Sequence, residues 1–348
     1  MTIEFTIEEL VIPTSIDAEG GEAFAEMIRV RNEIEAESVG NYDLAYEPAE
    51  MLPHWQRSWE PKRLLVARVD GRIVARAIYE NEGDDSPTAW VAVEVLPSFR
   101  RHGIGSALYR SLLELVEAAG NTIIQTSVAQ RVTSGPQLDA PTGFGSVPLE
   151  SAATRFLLAR GFTLEQVERM SRLDLPATLP SVDDAPGYHV VSWTGRTPVE
   201  HLEAIALLRT RMQTDAPFAG LEPDDNPWNA ERVIEDDDGQ ESSPRTNLSS
   251  LVVHTAKGEA AGFTELSVPP ELHRPVAQGD TIVLREHRGH RLGMLLKLAN
   301  LRFLEQVSPG HPSVTTFNAE ENRHMLQVNE DVGFVPIGYE GAWRKPLS

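Results

Sequence analysis

The chain has 348 residues, of which 24% are charged and 41% hydrophobic, contains no cysteine and carries a formal net charge of −21. Its length corresponds to about two domains, and the lack of cysteine excludes disulfides, cysteine-based metal sites and a thiol nucleophile. The negative charge opposes general nucleic-acid binding and favours cationic partners. The acidic N-terminus does not resemble a signal peptide, and no apolar run reaches about 18 residues, so we expect a cytoplasmic protein without a membrane span.

Hydrophobic spacing and turn residues predict the same order of elements in both halves of the chain. The first half has a hairpin turning at Asp70-Gly71, a strand at Trp90–Val95, an amphipathic helix from about Gly103 to Gly120, a strand at Thr122–Val128 and a helix from about Ser151 to Arg160. The second half has a hairpin turning at Lys257-Gly258, a strand at Thr281–Leu284, an amphipathic helix over Leu292–Leu304, a strand at Ser313–Phe317 and a helix through Met325 and Val328. This repetition indicates an internal duplication.

The segment Pro176–Gly187, which contains three prolines and no periodic pattern, lies between the two halves. Such a composition is typical of a linker. We therefore expect one domain at residues 1–175, a linker at 176–187 and a second domain at 188–348.

The first half also contains an insertion. Arg100 and Gly161 are 61 residues apart, whereas the matching landmarks Arg288 and Gly333 are 45 apart. The Gly-, Pro- and Ser-rich segment 131–146 accounts for the difference, and we expect an inserted loop there.

Acidic residues are concentrated in residues 222–241, which hold nine of them and one arginine. The ordinary interpretation of such a run is a solvated loop. The alternative hypothesis is a surface that steers a polycationic partner. On that hypothesis, if the partner is a substrate, neutralising Asp236, Asp237 and Asp238 raises its KM and weakens the salt dependence.

An apolar strand is followed directly by a turn with two glycines, Gly103 and Gly105, and by an amphipathic helix. Glycines let the backbone approach a ligand closely, and the unpaired N–H groups at a helix start favour an anion. The segment therefore predicts a pyrophosphate site. It has neither the Gly-Lys-Ser/Thr of a P-loop nor the third glycine and acid of a dinucleotide fingerprint.

This segment resembles the signature of the GCN5-related N-acetyltransferase (GNAT) family, Val-x-Pro-x-x-Arg/Gln-x-x-Gly-x-Gly/Ala. The first half carries it at Val95, Pro97, Arg100, Gly103 and Gly105.

The second half matches this signature less completely. Val283, Arg288 and Gly293 fit it, whereas Arg285 replaces the proline and Arg291 replaces the first glycine.

A second family signature, Asn-x-x-Ala-x-x-x-Tyr-x-x-x-Gly-Phe, is matched in part by residues 150–162 and by residues 322–334. Nearly the whole chain therefore resembles a tandem GNAT protein. The resemblance implies an α/β (α+β) chain of two GNAT-like domains, each with a mixed, mostly antiparallel sheet flanked by helices.

The resemblance also implies acetyl-CoA, or another acyl-CoA, as co-substrate and no metal. In this family the strand before the loop bulges, so that the freed N–H of Val95 or Val283 polarises the thioester carbonyl, while loop amides and arginines hold the pyrophosphate. The implied cofactor-binding residues are Val95, Arg100, Arg101, His102, Gly103, Ile104, Gly105 and Ser106 in the first half, and Val283, Arg288, Gly289, His290, Arg291, Leu292, Gly293, Met294, Asn318 and Asn322 in the second.

The tyrosine that protonates the leaving thiolate in this family is replaced by Leu157 in the first half and by Asn329 in the second. Leucine cannot donate a proton, and asparagine can only hydrogen-bond. The candidate catalytic residues are Asp280, Glu94 and Asn329. Glu265 and a terminal carboxylate at Ser348 are alternative bases, and an ordinary strand-edge or solvated position is the competing interpretation for each acidic side chain.

We expect an N-acetyltransferase in which an amine attacks the acyl-CoA thioester directly. The expected acceptor is small and cationic, such as an aminoglycoside, a polyamine or a basic peptide. Both halves are expected to bind acyl-CoA, and the second half is expected to catalyse. One alternative is a catalytically silent acyl-CoA-binding or regulatory protein, which the missing tyrosines favour, and another is transfer of an aminoacyl or longer acyl group. We expect a monomer or homodimer with no nucleic-acid or membrane partner.

Overall fold

The computed structural model describes residues 3–81, 86–181, 185–223 and 226–347. The chain forms two compact units. The first comprises the residues up to Val167, Ala219–Glu222 and the stretch from Gly338 onward, and the second comprises Glu168–Phe218 and Pro223–Ile337. None of the described helices is long and apolar enough to cross a membrane.

The first unit contains six helices and strands before residues 96–103 and further elements after them. In chain order these are β1 (Thr6–Glu9), α1 (Gly21–Val39), α2 (Pro48–Trp55), β2 (Lys62–Val69), β3 (Arg72–Glu80), β4 (Thr88–Val95), α3 (Ile104–Ala118), β5 (Ile123–Arg131), β6 (Gln137–Asp139), β7 (Ser146–Pro148), α4 (Ala152–Leu158) and the start of β8 (Thr163–Asp174), with most of the C-terminal strand β14 (Val335–Pro346) added. The main sheet has the order β1-β2-β3-β4-β5-β14. Only the β4–β5 pair is parallel. We call residues 96–103 and the matching residues 284–291 the phosphate loops, after the pyrophosphate site that the sequence predicts there.

The second unit repeats this arrangement. Its elements are the rest of β8, then β9 (Tyr188–Thr194), α5 (Leu202–Asp215), α6 (Ala230–Glu241), β10 (Thr246–His254), β11 (Glu259–Val268), β12 (Val276–Val283), α7 (Leu292–Val307), β13 (Ser313–Ala319) and α8 (Arg323–Val332). The sheet order is β8-β13-β12-β11-β10-β9, and only β12–β13 is parallel. The predicted fold of two mixed, mostly antiparallel sheets with flanking helices is confirmed.

The compact units do not follow the predicted division at 1–175 and 188–348. β14, from the end of the chain, pairs with β5 of the first unit, and β8, from the first half of the sequence, pairs with β13 of the second. Each sheet is thus completed by a strand from the other half of the sequence. Strand pairing, and not proximity along the chain, therefore decides which unit these residues join.

The two predicted hairpins form at the predicted turns. Asp70 and Gly71 have φ of 49° and 80°, and two positive φ angles are what a type I′ hairpin turn requires. In the second unit β10 and β11 are joined through Gly258, which has φ 70°.

The inserted segment after β5 contains more regular structure than the expected loop. β6 and β7 form a separate two-stranded antiparallel sheet. Ala140 and Val147 are buried and belong to the core of the first unit. The insertion is therefore held by apolar packing, which the glycines and prolines in its sequence obscured.

Candidate active site

In each unit the parallel strand pair beside the phosphate loop separates after a few residues. β4 pairs with β5 only at Thr88–Trp90, and β12 pairs with β13 only at Val276–Ala277. The remaining part of β4 or β12 leads to the phosphate loop without these pairs. Each unit therefore has an opening between two strands at its phosphate loop.

Backbone amides at the ends of β4 and β12 face these openings. The N–H of Leu96 donates to the carbonyl of Val74, and the N–H of Leu284 donates to the carbonyl of Ala261. N–H groups along an antiparallel strand point to alternate sides. The N–H of the residue before each leucine, which is Val95 or Val283, therefore points away from the antiparallel neighbour and toward the opening.

Each phosphate loop is shaped by two residues with positive φ. They are Arg101 (67°) and Gly103 (90°) in the first unit, and Gly289 (87°) and Arg291 (57°) in the second. The two residues occupy matching positions, with arginine and glycine exchanged. A non-glycine residue in this region costs about 1–2 kcal/mol. The second loop thus keeps a left-handed residue where Arg291 replaces the glycine of the family signature.

The two signature arginines connect their loops to the preceding strand. The Nε of Arg100 and the Nε of Arg288 each donate to the carbonyl oxygen five residues earlier, at 2.9 and 3.1 Å. Arg100 also pairs with Glu37 at 2.9 Å, and Arg288 pairs with Asp215 at 3.3 Å. Their guanidinium charges are therefore partly neutralised by carboxylates. The two side chains also hold the loop against the strand, a role that the sequence did not predict for them.

Three of the predicted cofactor-binding residues have buried side chains, so that only their backbone is available to a ligand. The side chains of Ile104, Leu292 and Met294 are 1%, 1% and 4% exposed. The first turns of α3 and α7 can therefore contribute unpaired N–H groups at these positions, while the side chains anchor the helices in the core.

The helix starts differ in the space beside their second glycine. A Cβ on Gly105 would lie 3.3 Å from the ring of Phe156 and 3.4 Å from Val95, whereas a Cβ on Gly293 would have no atom of the described residues within 4 Å. In the first unit, the Oγ of Ser106 also accepts a hydrogen bond from Arg160 at 2.7 Å. The start of α7 is thus less crowded than the start of α3.

His102 and His290, the histidines of the two loops, lie in different surroundings. The Nδ1 of His102 is buried and has no hydrogen-bond partner among the described residues. The ring of His290 lies 5.3 Å from that of Tyr188, whose hydroxyl is 3.0 Å from the Nδ1 of His287. Within the described ranges, no group of three or more His, Asp or Glu side chains is placed to hold a metal ion.

A bulge in β12 brings two acidic residues together in the second unit. The pairing with β11 is irregular at this point, so that Gly279 and Asp280 together oppose Glu265. A bulge of this kind re-aims a side chain at the strand surface. A Cβ on Gly279 would lie 2.9 Å from the Cγ and 3.1 Å from the Oε1 of Glu265. The glutamate side chain therefore passes directly over this glycine.

This carboxyl pair has raised pKa values. Burial raises the pKa of Glu265 to about 7; Arg209 acts in the opposite direction, and the negative charges of Asp280 and Asp236 raise it. Burial also raises the pKa of Asp280. The side chain of Glu265 is still 23% exposed. Glu265 is therefore a partly exposed side chain whose carboxyl pKa lies near neutrality.

The second half of the acidic segment is a helix and not the expected solvated loop. Asp236 and Asp237 on α6 are only 4% and 7% exposed. Asp237 accepts a hydrogen bond from the backbone N–H of Thr197 at 2.8 Å, while the exposed Asp238 pairs with Arg196. Neutralising all three aspartates would therefore perturb packing as well as surface charge. Asp224 and Asp225 lie outside the described residues.

In the first unit, Glu94 is held by a positive charge. It pairs with Arg76, whose side chain is 6% exposed. On α1, burial raises the pKa of Glu35 to about 7; Arg31 lowers it, and Glu94 raises it. Burial thus places the pKa of Glu35 near neutrality, and the sequence offered no signal for this residue.

The asparagines of the second unit fall into two groups. The Nδ2 of Asn329 donates to the Oδ1 of Asn318 at 2.6 Å, and the Oδ1 of Asn329 is buried without a partner among the described residues. Asn322 caps α8 by accepting from the N–H of Met325 at 3.3 Å. Asn318 and Asn329 are thus brought together, while Asn322 has a capping role. Ser348 lies outside the described residues.

Comparison with known proteins agrees with this geometry. Residues 28–132 match the family model for the acetyltransferase (GNAT) family. A solved tandem GNAT protein from the clavulanic acid biosynthesis pathway, without AcCoA, is 26% identical with a TM-score of 0.75, and the match covers 99% of this chain and 98% of that one. The first half of the sequence thus contains a GNAT domain match, and the chain over its whole length is similar to a tandem GNAT protein.

Other solved structures share the fold of this chain. A GCN5-related N-acetyltransferase from Sphaerobacter thermophilus is 16% identical, with a TM-score of 0.66 over 99% of this chain and 97% of that one. A glucosamine N-acetyltransferase region of a fungal multi-domain GH3 β-N-acetylglucosaminidase is 14% identical, with a TM-score of 0.63 over 99% of this chain and 38% of that one. No curated protein sequence gives a significant match.

Proposed function

We propose that this protein transfers an acetyl group from acetyl-CoA to an amine of a small cationic acceptor, and that its second unit carries the reaction. The observation that supports this most strongly is the Glu265–Asp280 pair at the bulge of β12. Asp280 lies three residues before Val283, whose N–H points into the strand opening.

The donor is supported by the loop backbone. The N–H groups at the start of α7 suit a pyrophosphate, and the N–H of Val283 suits the thioester carbonyl, on which negative charge develops during attack. The first unit offers the equivalent groups at α3 and Val95. We therefore propose that both units can bind acyl-CoA.

The proposed proton transfers differ from those of a GNAT domain that has a tyrosine to protonate the leaving thiolate. The acceptor ammonium gives a proton to the Glu265–Asp280 pair, and a pKa near the working pH makes such a base effective. The free amine then forms the N–C bond as the C–S bond breaks. The nitrogen of the new amide must lose a second proton, and the thiolate must gain one. Asn329 has no dissociable proton, so we propose that water relays this second proton from the nitrogen to the leaving thiolate.

Charge near the pair supports a cationic acceptor. Glu265, Asp280 and Asp236 face a single buried cation, Arg209. This local excess of negative charge favours an ammonium group over a neutral or anionic acceptor.

The proposal is tested by thiol release from acetyl-CoA with a panel of a polyamine, an aminoglycoside and a lysine-containing peptide. We expect Glu265→Gln and Asp280→Asn each to lower kcat at pH 7.5 by about 10²-fold or more, the usual contribution of a general base. Glu305→Gln is the matched control, since Glu305 is an exposed acid on α7. Wild-type kcat in Glu265→Gln contradicts the assignment of the base.

The second candidate is a catalytically silent acyl-CoA-binding protein. It is favoured by the absence of a proton donor at both tyrosine positions, Leu157 and Asn329. Calorimetric binding of CoA without turnover of any amine in the panel supports this candidate and contradicts the transferase.

A further inference from the structure

We propose that Arg209 and Asp236, an ion pair between α5 and α6, are positioning residues that set the protonation state of Glu265 and hold its carboxylate. The consequence for catalysis rests on the proposed function. The electrostatic effect is a property of the protein alone and is measured without turnover.

Arg209 is fixed from three sides. One Nη donates to Asp236 at 2.8 Å, and the other lies 3.4 Å from a carboxylate oxygen of Glu265. Its guanidinium lies 4.6 Å from the ring centroid of Trp228, and the residue is 8% exposed. A planar guanidinium held in this way gives Glu265 one preferred direction. Arg209 therefore restricts where the carboxylate lies.

The two members of the pair act on Glu265 with opposite sign. The charged groups that face Glu265 are Arg209 from α5, Asp236 from α6 and Asp280 from β12. Arg209 favours the carboxylate form, whereas each aspartate favours the protonated form. Asp236 also engages the Nη that would otherwise be free to approach Glu265. Loss of either partner therefore shifts the proton affinity of Glu265, in opposite directions.

This inference gives part of the acidic segment a defined role. Asp236 is buried against Arg209 and Gln240, which donates to it at 2.6 Å. Such a residue is poorly placed to attract an acceptor from solution. It is well placed to offset the positive charge of Arg209, the cation that contacts Glu265 among the described residues.

The first test is a ¹³C NMR titration of protein labelled at the glutamate carboxyl carbon, with the Glu265 signal assigned by its loss in Glu265→Gln. We expect Arg209→Gln to raise the pKa of Glu265 by about 1–3 units and Asp236→Asn to lower it by about one unit. Arg232→Gln and Asp238→Asn are matched controls, because Arg232 lies over the same Trp228 ring and Asp238 is an exposed neighbour of Asp236. Both are expected to leave the titration unchanged.

Removing one member of a buried ion pair destabilises a protein more than removing both. The double variant Arg209→Met/Asp236→Leu therefore keeps the test available if a single variant does not fold. Because Arg209 is in contact with Glu265, we expect the double variant also to raise the pKa of Glu265.

The second test is the pH dependence of acetyl-CoA thiol release with one fixed acceptor, so that differences between variants report on the protein. With Arg209→Gln we expect the rising limb to move to higher pH, a loss of about 5-fold or more at pH 7, and recovery once the pH exceeds the raised pKa that the NMR titration gives for this variant. A uniform loss at every pH with an unchanged limb, or shifts of the same sign in both single variants, overturns the inference. An unchanged pH profile in Glu265→Gln instead overturns the assignment of Glu265 as the base. The NMR titration still tests the electrostatic inference in that case, because it does not depend on turnover.

Discussion

Replacing Gly279 with alanine places a methyl group beneath the side chain proposed as the base. The added Cβ would lie 2.9 Å from the Cγ and 3.1 Å from the Oε1 of Glu265, whereas non-bonded carbon atoms prefer about 3.5–4.0 Å. Glu265 must therefore move by about 0.6–1 Å. The backbone of Gly279 is outside the left-handed region, so the change acts through this contact. A displacement of this size at a catalytic group costs about 10²-fold in rate.

The assay compares kcat for thiol release and the free energy of unfolding in urea. We expect Gly279→Ala to lower kcat by about 10²-fold and stability by about 1–3 kcal/mol at most, since the partly exposed Glu265 can turn toward solvent. Gly239→Ala is the matched control, because its Cβ has no atom of the described residues within 4 Å. Placing alanine in α6 is expected to add about 0.5–1 kcal/mol of stability without changing kcat. A folded Gly279→Ala protein with the kcat of the wild type refutes the reasoning.

Three further predictions concern stability. Burial lowers the pKa of Lys297, which is 1% exposed, to about 7. Above pH 7 the unfolded chain therefore binds more protons at this residue than the folded chain, so the free energy of unfolding rises from pH 7 toward pH 10. Lys297→Met should abolish that rise in urea titrations at pH 7 and 9.5. Asp236→Asn should cost about 3 kcal/mol because it removes the closer of the two carboxylates that pair with the buried Arg209, whereas Asp238→Asn should cost under about 1 kcal/mol; equal losses would contradict the burial of Asp236. Gly289→Ala should cost about 1–2 kcal/mol at its positive φ, while Gly293→Ala should stay within about 0.5 kcal/mol of wild type, as thermal unfolding would show.

Local sequence signals correctly predicted the hairpin turns and the loop-helix segments around the candidate site. Asp70-Gly71 determines its turn because few residue pairs accept two positive φ angles. The loop around Gly103 was recognisable for the same reason, together with the helix that follows it. These features depend on a few adjacent residues, so their sequence carries the necessary information.

Contacts between distant segments were not predictable in this way. Nothing in the composition of β14 indicates that it pairs with β5, because strand partners are selected by packing across the whole sheet. The sequence likewise predicted that Asp236 lies in a solvated acidic loop, because its partner is distant along the chain. Its burial depends on Arg209, which is 27 residues away in sequence.

One local signal for the site was available and was missed. Gly279-Asp280 lies inside the strand Val276–Val283, and a glycine inside a strand often marks a bulge or a close contact. Read in this way, the sequence would have placed a bulge beside Asp280 and drawn attention to the acid on the neighbouring strand, Glu265.

The most direct test of the proposed transferase is the pH dependence of kcat/KM for acetyl-CoA-dependent acylation of the best acceptor in the panel, measured for the wild type and for Glu265→Gln. We expect a rising limb near pH 7 in the wild type, because the Glu265–Asp280 pair must lose a proton before it can accept one from the ammonium. That limb should disappear in the variant. The same limb in both proteins would contradict the account.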